Sequence, residues 1–392
     1  MYEALKEKFE KYYGRGAEYI FSAPGRTELG GNHTDHQLGR VLAAAVDVDT
    51  KAAVAISDAP RIRILSEGYA LVEVALDELS IREEERGTTA ALVRGVAAGI
   101  RARGAVLRGF DAYVVSNVLP GSGLSSSAAF EVLVGAMISH ICGAGLDAVQ
   151  LAQLGQYAEN VYFGKPSGLM DQMASSVGNI VAIDFADKAA PRVEAIDFDF
   201  SKCGHSLCII DSGADHADLT DEYAAIPAEL SRVSALFGKV CLREVDEDEF
   251  YSRLAGVRAS AGDRAALRAI HIFNENRRVD AEVAALRAND FDAFLRLVAE
   301  SGRSSWMLLQ NVIPAGWTAH QELALALALA ERLLGGRGAC RVHGGGFAGT
   351  IQAFVPTDML DEFCAGIEAV LGAGSCHVLN IRREGGCLLE EA

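Results

Sequence analysis

The segment 23–39, APGRTELGGNHTDHQLG, sets four glycines among a dense group of polar side chains. A helix does not tolerate so many glycines, and a strand does not hold the four consecutive polar residues of 32–35. We therefore expect a loop that neighbouring elements hold in place and that hydrogen-bonds a small polyhydroxylated ligand. The apolar run 41–46 directly after it predicts a buried strand or turn that fixes this loop.

The composition limits the classes of protein that the chain can be. Its 392 residues are long for one hydrophobic core, which favours two domains. The formal net charge of −17 argues against a nucleic acid or an anionic membrane as partner. Eight scattered cysteines without zinc-site spacing favour reduced thiols in the cytoplasm. The charged first ten residues predict an amphipathic helix, not a signal peptide, and no apolar run is long enough to span a membrane.

A glycine- and serine-rich turn, 121–127, lies between a predicted strand at 110–116 and a predicted helix at 130–142. Glycines let successive backbone N–H groups point toward one anion, and a helix N-terminus adds partial positive charge. The three serine hydroxyls of 125–127 can meet phosphate oxygens or a metal ion. The turn therefore predicts a phosphate site, although it is not a Walker A loop. A plain turn with a serine helix cap explains the turn, taken alone, about equally well.

Glu159 and Asp171 suit the two acidic roles of phosphoryl transfer, a metal ligand and a group that orients or deprotonates the attacking hydroxyl. Glu159 falls near the end of a helix that Asp147 and Gln150 start with a capping box. Asp171 follows a turn at 164–168. The alternative is that Glu159 is solvated surface and that Asp171 caps the helix after it. For either residue taken alone, this alternative is favoured.

The C-terminal half is predicted to contain long helices at 263–276, 280–286, 291–307 and 319–334, then strands at 350–355 and 376–381. Three successive glycines in 344–349 indicate that the backbone approaches a ligand or another chain segment closely. His343 beside them is more typical of a structural polar residue than of a catalyst. Strands followed by helices in both halves predict an α+β fold. We expect domains at 1–205 and 206–392, with a last strand that can pack back on the first domain.

Four motifs, taken in order, resemble the GHMP family of small-molecule kinases and, within it, the galactokinases. Ala23–Arg26 with His33–Asp35 resembles the signature GRxNxIGEHTDY, and 119–128 resembles the family's phosphate loop. Ala158 and Glu159, followed by 168–172, resemble the AE…CGIMDQ segment. The segment 344–349 resembles the motif GxGFGG. The resemblance spans nearly the whole chain.

The resemblance implies an ATP-dependent sugar 1-kinase with Mg²⁺, D-galactose being the first expectation. It also implies an N-terminal domain like the second domain of ribosomal protein S5 and a ferredoxin-like C-terminal domain. By resemblance, Asp171 orients or deprotonates the anomeric hydroxyl, Arg26 stabilises the transferred group, and Ser127 with Glu159 holds Mg²⁺. The implied sugar contacts are Asn32, His33, Asp35, Gly168 and Tyr223. The implied ATP contacts are Pro120, Gly121, Ser122, Gly123, Leu124, Ser125, Ser126, Ser127, Gly345 and Gly346.

Several positions depart from the family's pattern. Asn32 stands where galactokinases carry an acidic residue for the sugar's 6-hydroxyl, and Glu28 stands where they carry an asparagine. The other departures are Gly30 for an aliphatic residue, His36 for a tyrosine, Ser167 for a cysteine, Ala348 for a glycine and Thr89 for an aromatic residue near the base. They leave open a kinase for galacturonic acid, N-acetylgalactosamine or arabinose and, as a minor alternative, a non-catalytic sugar and ATP sensor. The expected assembly is a monomer or a weak homodimer.

Overall fold

The computed structural model of the chain describes residues 2–118, 123–165, 167–187, 189–214 and 219–391. Its strands form two sheets. In chain order the strands are β1 (Tyr19–Gly30), β2 (Arg40–Ser57), β3 (Arg61–Ser66), β4 (Val72–Ala75), β5 (Gly109–Ser116), β6 (Ile180–Asp184), β7 (Arg192–Ile196), β8 (His205–Asp211), β9 (Ala339–Val342), β10 (Thr350–Pro356), β11 (Cys376–Leu379) and β12 (Cys387–Glu391).

Helices pack against both sheets. In chain order they are α1 (Glu3–Tyr13), α2 (Thr89–Ala102), α3 (Ser126–Ile141), α4 (Ala148–Tyr157), α5 (Met170–Val177), α6 (Thr220–Ala235), α7 (Glu247–Ser252), α8 (Leu254–Ala261), α9 (Asp263–Arg287), α10 (Phe291–Ser304), α11 (Glu322–Leu334) and α12 (Leu360–Leu371). The capping box predicted at Asp147 and Gln150 starts α4. A π-helical segment, Ala158–Phe163, continues α4 and carries Glu159, and such segments are frequent at functional sites.

The first sheet has the strand order β12–β1–β2–β5–β3–β4, with β6 and β7 attached through β2. The long strand β2 is its centre, and it includes the run 41–46, for which a buried strand or turn was predicted and whose residues are buried. At the C-terminal end of the chain, β12 pairs antiparallel with β1, with Tyr19 opposite Glu391. The first and last strands of the chain therefore belong to one sheet.

The second sheet has the order β11–β8–β10–β9, and all its pairs are antiparallel. A helical segment connects its first two strands along the chain and α12 connects its last two, which is the split β-α-β arrangement. Strands β9 and β10 contact β1 of the first sheet, because Arg341 Nη1 in β9 donates to Leu29 O at 3.0 Å and Gln352 Nε2 in β10 donates to Thr27 Oγ1 at 2.7 Å. This sheet starts at His205; the exact division between domains stays a prediction.

Two predictions about local structure are wrong. The loop predicted over 23–39 is a strand up to Gly30, and only 31–39 forms turns and a single 3-10 turn at Asp35–Gln37. The polar residues of β1 are tolerated because distant segments supply buried partners for them. The helices predicted at 263–276 and 280–286 are one helix, α9, because the residues between them are ordinary helix formers and Val279 is buried.

Among the described residues, no helix combines the length and the apolar character that crossing a bilayer requires. All eight cysteines are free thiols. Three of them, Cys208, Cys364 and Cys376, lie with their sulfur atoms within 4.8 Å of one another, a cluster that the spacing along the chain did not reveal.

Candidate active site

A cavity of about 300 Å³ opens where β1, α5, α6 and the loop between β9 and β10 meet. Its volume is at the lower end of the range for small-ligand pockets. It is lined by Arg26, Glu28, Asn32, His33, Asp35, His36, Glu159, Lys165, Ser167, Gly168, Met170, Asp171, Gln172, Tyr223, Gly344 and Gly345. Another cavity of similar volume, between Asn179, Phe198 and Leu379, is lined by residues outside the four motifs.

Arg26 and Asp171 form a two-point ion pair in this cavity. Arg26 Nε lies 2.7 Å from Asp171 Oδ1, and Nη2 lies 2.8 Å from Oδ2. Burial raises the pKa of Asp171, but the charge and hydrogen bonds of Arg26, with the hydroxyl of Ser125, outweigh it, so the pKa lies below its ordinary value. Asp171 is therefore ionised at neutral pH. It lies inside the first turn of α5 and does not cap it, so the capping alternative is wrong.

Ser125 joins the predicted phosphate loop to this pair. Its Oγ donates to Asp171 Oδ2 at 2.8 Å. Its φ of 59° lies in the left-handed region, a strained conformation that recurs at functional sites. Helix α3 begins at the next residue, so the partial positive charge of its N-terminus lies beside the ion pair.

The rest of the phosphate loop is only partly described. Arg26 N donates to Leu124 O at 2.9 Å, which fixes Gly123, Leu124 and Ser125 against β1. Ser126 and Ser127 form the first turn of α3. Pro120, Gly121 and Ser122 lie outside the described residues. An anion held by this helix start would lie next to the Asp171 carboxylate.

Glu159 is 3% exposed, so its interpretation as solvated surface is wrong. Lys165 Nζ lies 3.1 Å from its Oε1, and Gln172 Nε2 donates to its Oε2 at 2.9 Å. The same Gln172 nitrogen donates to Glu131 Oε2 at 2.9 Å. Burial, and next the charge of Glu159, raises the pKa of Glu131 well above its ordinary value. The amide group of Gln172 therefore lies between two buried carboxyl groups and donates a hydrogen bond to each.

The residues predicted to hold Mg²⁺ suit that ion chemically. Mg²⁺ prefers oxygen ligands such as carboxylates, phosphates and water, and Glu159 and Ser127 offer a carboxylate and a hydroxyl. The ammonium group of Lys165 already neutralises Glu159, which shows that this carboxylate attracts a cation. Lys165 is 60% exposed along its side chain and can move aside at little cost.

His33, Asp35 and Gly168 lie together in the cavity wall. His33 Nε2 donates to Gly345 O at 3.0 Å, because a carbonyl can only accept. Burial, and next the nearby His36, lowers the pKa of His33 to about 4, so the ring is neutral and its Nδ1 is an acceptor. Asp35 Oδ1 accepts from His36 N at 2.9 Å. The backbone of Gly168 lies directly against Asp35 Oδ2.

The backbone carbonyl groups of 344–346 accept hydrogen bonds from three residues that were predicted to contact the sugar. Gly344 O accepts from Asn32 Nδ2 at 2.6 Å, and Gly345 O accepts from His33. Gly346 O accepts from the hydroxyl of Tyr223 at 2.6 Å. The close approach predicted for these glycines is therefore an approach to other chain segments. A contact of Gly345 and Gly346 with ATP stays a prediction.

The side chain of Asn32 has no hydrogen-bonding capacity left. Its Nδ2 donates to Glu28 Oε1 at 3.0 Å and to Gly344 O. Its Oδ1 accepts from Asn311 Nδ2 at 2.9 Å and from Ser305 Oγ at 3.3 Å. An amide offers two donors and two acceptor positions, and the protein takes all four. The amide of Asn32, predicted to meet the sugar, is instead a buried structural group.

Helix α9 supplies residues that the sequence analysis did not find. Glu275 Oε1 accepts from Gly31 N at 3.2 Å and Asn32 N at 3.3 Å, and His271 Nε2 donates to Asn32 O at 3.0 Å. Both side chains are fully buried. A signal was present: polar residues at 268, 271, 275 and 282 recur at helical spacing, which places them on one face. Lys165, Glu131 and Arg341 carried no comparable signal.

Comparisons with known proteins agree with this geometry. Residues 7–56 match the model of the galactokinase galactose-binding signature, and residues 91–179 match that of the GHMP kinases N terminal domain. The chain is 32% identical to a galactokinase of Streptomyces coelicolor over 372 residues, which are 94% of this chain and 92% of that protein.

Solved structures share the fold. The galactokinase of Lactococcus lactis complexed with galactose aligns with a TM-score of 0.82 and 25% identity, over 99% of each chain. The mevalonate kinase of Methanococcus jannaschii aligns with a TM-score of 0.67 and 14% identity, over 94% of this chain and 99% of that one. At that identity the likeness shows the fold alone. The chain adopts the two-sheet α+β fold of the GHMP kinases and belongs to the galactokinase family.

Proposed function

We propose that the protein transfers the γ-phosphoryl group of ATP to the C1 hydroxyl of D-galactose. The observation that carries this proposal is the Arg26–Asp171 pair, which lies between the start of α3 and the polar cavity. A phosphoryl acceptor in the cavity and a phosphate at the helix start would meet at this pair. Catalysis of phosphoryl transfer is mainly positioning and electrostatic stabilisation.

Asp171 would orient the C1 hydroxyl and receive its proton on a carboxylate oxygen. Its lowered pKa keeps it ionised and ready to accept a hydrogen bond. Arg26 keeps both carboxylate oxygens in place and adds a positive charge where negative charge builds up on the transferred group. Ser125 fixes the same carboxylate from the loop side.

On the nucleotide side, the residues 123–127 and the N-terminus of α3 would bind the phosphates. Glu159 and Ser127 would hold Mg²⁺, which neutralises phosphate charge when bound. Gln172 keeps the Glu159 carboxylate in one position. The base position near Thr89, at the start of α2, offers no aromatic side chain of its own.

On the sugar side, His33, Asp35, Gly168 and Tyr223 would surround the substrate. The neutral ring of His33 and the carboxyl group of Asp35 suit the hydroxyl groups of a neutral aldose, which both donate and accept. The intact ion pair and the serines of the loop favour an enzyme over a non-catalytic sensor.

We infer a cytoplasmic protein, in agreement with eight free thiols, that acts without nucleic acid or membrane as a monomer or a weak homodimer. The acidic net charge of −17 supports the absence of polyanionic partners.

ADP release with Mg²⁺-ATP and separate sugars tests the proposal. We expect release that depends on galactose and a loss of about 10³-fold in kcat for Asp171→Asn. Asp358→Asn is the matched control, because Asp358 forms an Arg–Asp pair with Arg337 at 2.7 and 2.8 Å outside the cavity. Wild-type turnover by a folded Asp171→Asn protein would remove the proposed role of Asp171.

A further inference from the structure

Two departures from the galactokinase signature, at positions 28 and 32, are in contact in the structure. The family pattern has asparagine at the first position and an acidic residue at the second, and this chain has Glu28 and Asn32. Asn32 Nδ2 donates to Glu28 Oε1 at 3.0 Å. The carboxylate and the amide thus stand at the opposite positions from those in the family pattern, and in this chain they are hydrogen-bonded to each other.

The carboxylate of this hydrogen-bonded pair belongs to Glu28. The amide of Asn32 is fully engaged within the protein, as described above. Glu28 Oε1 accepts from Asn32 and pairs with the guanidinium of Arg341. Glu28 Oε2 accepts no hydrogen bond from any described residue. Glu28 lines the cavity, and its Oε2 is not one of the fully buried atoms without a hydrogen-bond partner, whereas both carboxylate oxygens of Glu282 are.

Glu28 is also held in one position. Arg341 is fully buried, and its remaining nitrogens donate to Leu29 O and Val342 O, both at 3.0 Å. The guanidinium can therefore neither swing away nor reach the cavity. Burial raises the pKa of Glu28 above its ordinary value, and the charge of Arg341 and the hydrogen bond from Asn32 limit this rise by favouring the ionised form. Both of these partners bind Oε1, which leaves Oε2 available as an acceptor.

We propose that Glu28 is the carboxylate that selects the sugar in this protein, with Asn32 as its positioning residue. The inference rests on the proposed sugar kinase function and names the substrate class more closely. An ionised carboxylate oxygen accepts a hydrogen bond from a hydroxyl and repels another carboxylate. The cavity therefore takes a neutral aldose with a hydroxyl at Glu28, and it rejects galacturonic acid.

The experiment pairs changes in the protein with changes in the sugar. ADP release is measured for galactose, the four monodeoxygalactoses (2-, 3-, 4- and 6-deoxy) and galacturonic acid, with wild-type and Glu28→Gln protein. For the wild type we expect one deoxy sugar to lose about 10- to 100-fold in kcat/KM, since a hydrogen bond to a charged group is lost. In Glu28→Gln protein the loss of kcat/KM for this deoxy sugar should be several-fold smaller. The kcat/KM for galacturonic acid, relative to that for galactose, should rise about tenfold.

Glu282→Gln is the matched control. Glu282 is a buried carboxyl group next to Gly30 of β1, and it does not line the cavity. It should leave the sugar preferences unchanged. Equal penalties in wild-type and Glu28→Gln protein for every sugar would overturn the role of Glu28 while leaving the kinase function intact. No ADP release by the wild type with any of the sugars would remove the proposed function itself. If Glu28→Gln does not fold, the wild type decides: turnover of galacturonic acid equal to that of galactose contradicts the proposal.

Discussion

The backbone of Gly168 lies directly against the carboxylate of Asp35, so that a methyl group at position 168 would overlap Asp35 Oδ2. Gly168 belongs to the turn before α5, and Asp35 belongs to the 3-10 turn after β1. This contact brings the turn before α5, the helix that carries Asp171, against the loop after β1, the strand that carries Arg26. This wall of the cavity and the Arg26–Asp171 pair therefore lie on the same two stretches of chain.

Gly168→Ala should weaken sugar use by displacing Asp35. We expect kcat/KM for galactose to fall about 10- to 100-fold, since small misplacements in a site of this kind have effects of that order. Steady-state kinetics measure it. Gly256→Ala is the control, because a Cβ at that position in α8 meets no atom within 4 Å. Unchanged kinetics for Gly168→Ala would show that Asp35 does not contribute.

Gly30 lets a buried carboxyl group of α9 approach β1. A Cβ at position 30 would overlap Glu282 Oε2, so Gly30→Ala should destabilise the fold by about 1–3 kcal/mol through overpacking. Glu282→Ala removes the obstacle, so the double variant should be more stable than the two separate losses predict. Urea denaturation of the four proteins measures this coupling. If the losses in unfolding free energy of the two single variants simply add in the double variant, the contact between position 30 and Glu282 is contradicted.

Glu282 should make the protein less stable as the pH rises. Burial, and next the charge of Glu275, raises the pKa of Glu282 well above its ordinary value, so the folded state holds a proton that the unfolded chain releases. Stability from this group is present below the unfolded pKa and is lost as the pH rises through the folded pKa. Between pH 5 and 8 the wild type should therefore lose more stability than Glu282→Gln. Parallel curves of unfolding free energy against pH would contradict this.

Gln172→Leu should weaken the use of Mg²⁺. The variant removes the amide that fixes Glu159 and separates it from Glu131. Changes in groups that orient a metal ligand typically cost about 10- to 100-fold in metal affinity, so half-maximal ADP release should need that much more Mg²⁺. Gln153→Leu is the control, since its side-chain amide donates to an exposed carbonyl, Ala189 O, at 3.0 Å and to no other residue that the structure describes. An unchanged Mg²⁺ requirement would contradict the role of Gln172.

Local chemistry made much of the site predictable. The serines of 125–127 and the turn before Asp171 stand in short segments rich in glycine and polar residues, and Glu159 falls near the end of a helix whose start a capping box marks. The capping box at Asp147 and the strand at 41–46 depend on neighbouring residues alone, and both predictions are confirmed.

Contacts between distant segments made the rest unpredictable. Glu28 is held by Arg341, which lies 313 positions away, and the loop after β1 is held by α9. Residues of β1 were therefore assigned to a loop, because their buried partners cannot be seen in the local sequence. Asn32 looked like an available ligand for the same reason: its four partners come from three different parts of the chain.

The protein is proposed to transfer a phosphoryl group from ATP to C1 of galactose at the Arg26–Asp171 pair. Phosphorus NMR of the product formed by wild-type protein with Mg²⁺-ATP and galactose tests it most directly. We expect a sugar phosphate whose phosphorus couples to the anomeric proton. With Asp171→Asn protein we expect no such product. A phosphate at another carbon, or no sugar phosphate from the wild type, would contradict it.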